Sequence, residues 1–206
     1  MACSIHIQTH TVAMTAPTRE GVLRYDNVAV TLHWLIAALL LAQLFIGFTF
    51  SGMERGDART EVFAWHRTLG FATGALMLLR LGWRLVKRPP PFPAETRAWE
   101  RVASRIVHLG LYAVLLALPL TGWIYVSTGS TAAATGVTTL IGGIPFPILP
   151  GLPSDWHGPS ARVHKLLVLL ALALMLLHVA AAMKNRWFDK ARLANRMPPF
   201  RVRGRD

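Results

Sequence analysis

Histidine is the residue type in this chain whose placement points most directly to chemistry. Five of the eight histidines, His33, His66, His108, His164 and His178, lie in or at the ends of long apolar stretches. An imidazole in such a stretch is costly unless it has a partner, so each is a functional candidate by default. One alone would serve as well as a hydrogen-bonding contact between helices; five at matched depths point to a shared task. His164 and His178 are 14 residues apart. On one α-helix that spacing is about 40° short of four full turns and about 21 Å along the axis. The two rings therefore point to nearly the same face at two levels.

The elements that must position them are four apolar stretches, roughly Val28–Phe50, Val62–Val86, Val102–Val126 and Val163–Met183. Each is long enough to cross a bilayer as a helix, which takes about 20 residues. None of the ten acidic residues falls inside them. A soluble bundle is disfavoured because its helices keep one polar face, and Leu166–Leu177 has none. The expected fold is all-α: a transmembrane four-helix bundle at residues 25–186. A flexible N-terminal tail at 1–24 precedes it, and a basic tail at 187–206 follows. The start, MACSIHIQTH, lacks the basic region and continuous apolar run of a signal peptide. Between the third and fourth stretches, Ser127–Ser160 is too broken by Gly and Pro to be a fifth span.

The chain carries 22 Lys+Arg against 10 Asp+Glu in 206 residues, and 53% of them are hydrophobic. Basic character in so apolar a chain fits topology signals and anionic lipid rather than nucleic acid. The middle connection holds Lys87, Arg88, Arg97 and Arg101, and eight bases follow from Lys184 to Arg205. The positive-inside rule then puts both termini and the middle connection in the cytoplasm. In that orientation His66 shares the outer level with His164. His33 and His108 share the inner level with His178. The single cysteine, Cys3, excludes a multi-cysteine metal site and a C-x-x-C-H attachment.

Two neutral imidazoles facing each other in an apolar bundle suit a b-type haem, which takes two axial ligands and a greasy slot. Zinc prefers four ligands, which neither level clearly offers. Gly70, Gly74 and Ala180–Ala182 are expected to leave room for a flat macrocycle. Arg67, Arg80, Arg84 and Arg105 flank the two levels and are expected to meet haem propionates, against the commoner fate of snorkelling to the interface. At the inner level, depth leaves His33 and His108 as competing partners of His178. His157 is read as a surface or entry-site residue.

Several segments, in order and spacing, resemble the bacterial cytochrome b561 family of di-haem membrane cytochromes. They are LHW at Leu32–Trp34, WHRTLGF at Trp65–Phe71, LLRLGWRL at Leu78–Leu85, HLGLY at His108–Tyr112 with ALP at Ala117–Pro119, VHK at Val163–Lys165 and LHVAAA at Leu177–Ala182. The resemblance implies His33 with His178 on the inner haem iron and His66 with His164 on the outer one. It frees His108 as a quinone-site candidate. It further implies an oxidoreductase that passes electrons, from superoxide in some members, to ubiquinone. Arg67, Arg162 and Lys165 are then expected to attract an anionic donor at the outer mouth or to meet propionates. The alternatives are a cytochrome b subunit of a dehydrogenase or hydrogenase complex with a protein donor and, in a different class, a small histidine-using transporter.

Overall fold

The computed structural model describes residues 24–94, 96–187 and 196–197. Four long helices dominate: α1 at Asn27–Ser51, α2 at Asp57–Val86, α3 at Ala98–Ser127 and α5 at His157–Trp187. All four are long and apolar enough to cross a membrane. α2 and α3 have 30 residues each, about 45 Å of helix against a hydrocarbon core of about 30 Å. Their ends therefore project past the apolar layer and hold the charges.

Each helix end has a local cause. Asp26 caps α1, accepting the Ala29 N–H at 3.0 Å, and also accepts the Trp83 indole N–H at 3.0 Å. One carboxylate thus joins the start of α1 to the end of α2. Partial burial pushes the Asp26 carboxyl up, but these donors outweigh it and hold it below the usual carboxylate range. The proline run after Lys87 stops α2. Glu100 accepts the Arg97 N–H at 3.2 Å at the start of α3 and pairs with Lys184 at 2.8 Å near the end of α5.

α1 packs on α2, α2 on α3, and α3 most extensively on α5. Their shared core is small: Ile36, Leu40, Met77, Val114, Leu115 and Ala171. Gly74 lets α2 approach the Pro119 ring of α3, where an added Cβ would lie 2.9 Å from Cγ. Large apolar side chains point outward instead, such as Phe45 at 75% and Leu109 at 71% exposure. Such a bundle is built for lipid as its solvent, with backbone groups satisfied inside the helices.

The connection between α3 and α5 is more ordered than its Gly and Pro content implied. A short helix, α4 at Ser130–Thr135, leads into strand β1 at Val137–Thr139, which pairs antiparallel with β2 at Pro145–Pro147. Gly142 and Gly143, at φ 69° and 74°, form the turn, a backbone region that glycine enters without strain. α5 then starts at His157, earlier than hydropathy suggested. Residues 1–23 and most of 187–206 lie outside the described residues. Within the C-terminal segment Arg196 is only 7% exposed. It donates to the Pro90 and Pro91 carbonyls, and its own carbonyl accepts the Tyr25 N–H at 3.2 Å.

Candidate haem-binding site

At one level, His66 of α2 faces His164 of α5 with ring centroids 6.2 Å apart and planes at 79°. The Nδ1 of His164 lies 3.1 Å from the Leu118 carbonyl and 3.0 Å from Thr121 Oγ1. We assign the proton to Nδ1, where it can be donated to that carbonyl, which leaves Nε2 with a free lone pair. This is the usual arrangement for a metal-ligating histidine, whose other nitrogen is fixed by a carbonyl or carboxylate. Two glycines seat the rings. A Cβ on Gly47 of α1 would lie 3.3 Å from His66 Cε1, and one on Gly122 of α3 would lie 3.5 Å from His164 Cε1.

At the other level, His33 of α1 faces His178 of α5 with centroids 6.1 Å apart and planes at 73°. His108 of α3 is nearer to His178, at 5.2 Å. Its Nδ1 is 2.5 Å from the Ser104 carbonyl one turn back on its own helix. Trp34 packs edge-on against His33 at 5.4 Å.

These distances test the fit of a flat metal-centred group. An imidazole–metal bond of about 2 Å on each side, plus about 1 Å from ring nitrogen to centroid, separates two axial rings by roughly 6 Å. Both the His66–His164 and His33–His178 pairs meet that spacing; His108–His178 falls short. The helices carrying the paired rings, α1 with α5 and α2 with α5, are not close backbone neighbours. The imidazoles reach across gaps that the backbones leave open. Among the described residues no group of three or more His, Cys, Asp or Glu is arranged for a metal ion, so bis-imidazole ligation is the donor set on offer.

Two of the expected room-making residues lie against neighbouring helices. Gly70 faces Gln43, with an added Cβ 3.1 Å from Nε2, and Gly74 faces Pro119. Ala180 and Ala181 are exposed. Gly47 and Gly122 lie against the His66 and His164 rings, which sit on other helices, so no sequence window reveals the contacts. His157 is more enclosed than a free surface residue. It is half-buried and stacks on Tyr125 at 4.3 Å, with Nδ1 3.0 Å from the Tyr125 carbonyl, rather than standing free at the surface.

The cations divide. Arg67 donates to Thr138 Oγ1 at 2.9 Å and Thr139 Oγ1 at 3.3 Å, and lies over the Phe63 ring at 4.8 Å. It ties α2 to β1. It also lines a cavity of about 770 Å³ with Asp57, Glu61 and Trp65. Arg162 and Lys165 are exposed beside His164. Toward the His33–His178 level, Arg80 donates to Tyr112 Oη and the Ala29 carbonyl, each at 3.2 Å, and Arg84 lies 5.5 Å over the Tyr112 ring. Both line a cavity of about 510 Å³ that also includes Arg24, Lys87 and Arg88. Arg105 is exposed on α3.

A multi-pass helical bundle with facing imidazoles across its helix gaps has the donor set of a membrane haem b electron-transfer protein. The chain belongs to the prokaryotic cytochrome b561 family, whose model matches residues 24–199. It is similar to cytochrome b561 homolog 2 of Escherichia coli (strain K12), with 25% identity over 179 residues, covering 84% of this chain and 90% of that protein. Members of the family bind b-type haem and move electrons through the membrane, and this chain is a multi-pass protein of that kind.

Proposed function

We propose that this protein holds two b-type haems and carries electrons from superoxide at the outer face of a bacterial inner membrane to ubiquinone. The observation that carries the reading is the pair of imidazole separations, 6.2 Å and 6.1 Å, at two levels. When bound, each haem supplies a one-electron couple. His66 and His164 hold the outer iron, and His33 and His178 the inner one. The apolar helix faces keep water from both. Arg80, Arg84 and Arg105 are the propionate partners proposed for the inner level. Arg67, Arg162 and Lys165 serve the outer level, by propionate contact or by drawing in an anionic donor. His108, close to His178 and on the inner side, is the residue proposed to hydrogen-bond a quinone carbonyl or relay its proton. Two superoxide anions each give up one electron and leave as dioxygen. One quinone takes those two electrons and two protons to become quinol. Both termini are placed in the cytoplasm by the positive-inside rule.

A protein donor is the second reading. The outer cavity pairs Asp57 and Glu61 with the exposed side chains of Trp65 and Ile144, a surface that suits a docking protein better than a small anion. The test is purified protein in liposomes containing ubiquinone, supplied with enzymatically generated superoxide. Quinol formation at about two haems per chain supports the proposal. Two haems with no response to superoxide turn the reading toward a protein donor; a colourless protein removes both.

A further inference from the structure

Gln43 lies in the middle of α1 and is only 9% exposed. Its Nε2 donates to the His66 carbonyl at 2.8 Å. That carbonyl belongs to a continuous helix and already accepts an N–H from one turn on; Gln43 engages its remaining lone pair. The amide sits close over Gly70, where a Cβ would lie 3.1 Å from Nε2 and would press the amide back by a few tenths of an ångström. Four residues further along α1, Gly47 supports the His66 ring. The spacing of four puts both contacts on one face of α1. α1 therefore bonds the His66 peptide and lies close against its ring.

Gln43 is a poor choice for packing alone. Its Oε1 is buried with no partner among the described residues, and so is Nδ1 of His66. A leucine of similar size would fill the space without a stranded oxygen, which is a cost inside a membrane. The hydrogen bond that Gln43 does make goes to the peptide that carries an outer ligand. His164 has its own anchor at the Leu118 carbonyl; the His66 ring nitrogen has none.

We infer that Gln43 is a positioning residue for His66, clamping its peptide against α1 so that the ring keeps its separation from His164. The inference rests on the reading of His66 and His164 as the outer-haem ligands. It predicts an effect confined to the outer level. The experiment uses the full-length protein in lipid nanodiscs. It compares wild type with Gln43→Leu, Gln43→Glu, Gly70→Ala and Gly82→Ala, a control on the same helix where a Cβ meets nothing within 4 Å. The readouts are the low-spin electron paramagnetic resonance signals, the midpoint potential of each haem, and the rate at which each haem passes to an apo-globin acceptor.

Gln43→Leu is expected to shift the outer signal and potential and to speed outer-haem loss about tenfold, the low end for loss of a ligand's supporting contact. The inner haem should stay as in wild type. In its neutral form Gln43→Glu keeps one O–H donor for the same carbonyl and should retain the outer signal. Gly70→Ala crowds the amide by a few tenths of an ångström and should move the outer signal in the same direction as Gln43→Leu, and it carries the test if that variant fails to assemble. Gly82→Ala should change nothing. An unaltered outer haem in both Gln43→Leu and Gly70→Ala overturns the inference, as does an equal shift in both haems. Wild-type protein without an outer haem overturns the ligand reading, and this inference with it.

Discussion

His33 and His108 both approach His178, and their replacement should separate ligand from neighbour. Two axial imidazoles on one metal stand roughly 6 Å apart between centroids. His33 and His178 already stand at 6.1 Å, whereas His108 and His178 stand at 5.2 Å. The shortfall is about 1 Å, and closing it means moving a backbone, because Nδ1 of His108 is held at 2.5 Å by the Ser104 carbonyl. His33→Ala should therefore lower the haem content from about two to about one per chain, since no thioether bond retains a haem whose ligand is gone. His108→Ala should keep about two haems and slow quinone reduction. The assay is pyridine haemochrome quantitation against protein mass, paired with stopped-flow quinone reduction. If His33→Ala keeps both haems and His108→Ala loses one, the spacing argument fails. If His108→Ala changes neither haem content nor quinone kinetics, His108 is a packing residue.

Gly122→Val should displace His164, because even a Cβ there lies 3.5 Å from Cε1; a core overpacking cost of about 1–3 kcal/mol and loss of the outer haem are expected, and an intact spectrum refutes it. Lys165→Glu should slow superoxide-driven quinone reduction without altering the haem spectrum, and the wild-type rate should fall as salt shortens the screening length to about 8 Å and below; a rate indifferent to both speaks for a protein donor. Asp26→Ala should cost about 0.5–2 kcal/mol through the lost cap, read by thermal denaturation. Because its donors hold the Asp26 carboxyl below the usual range, the stability it contributes is complete above the ordinary carboxylate pKa. It is lost as pH falls through the lowered value, so Asp26→Ala should flatten that part of the acid profile.

Much of the site was legible because its signal is local. A histidine in an apolar run is conspicuous, and the 14-residue separation of His164 and His178 places both rings on one face by helix geometry alone. The four spans were legible for the same reason. What escaped depends on contacts between distant segments. Arg67 reads as a free cation until Thr138, 71 residues away, appears beside it. Gly47 and Gly122 look like ordinary membrane-helix glycines until the rings of His66 and His164 are found against them. Gln43 passes as one polar residue in an apolar stretch. The β1–β2 pair was hidden because Pro145 and Pro147 argue against a strand; a two-stranded edge accommodates them.

The packing pattern bears on how a cell makes this protein. α1 with α2, and α3 with α5, form two helical hairpins that meet mainly where α2 touches α3. The other side is bridged by imidazole rings on helices that are not close backbone neighbours. With haem held as proposed, biogenesis would separate into insertion of two hairpins, which hydropathy can drive, and their locking together, which would await prosthetic-group delivery. A ligand that binds only the assembled form stabilises it by mass action. Cellular abundance of this chain is therefore expected to follow haem supply after synthesis, through proteolysis of unlocked chains, even when its transcription and insertion are unchanged.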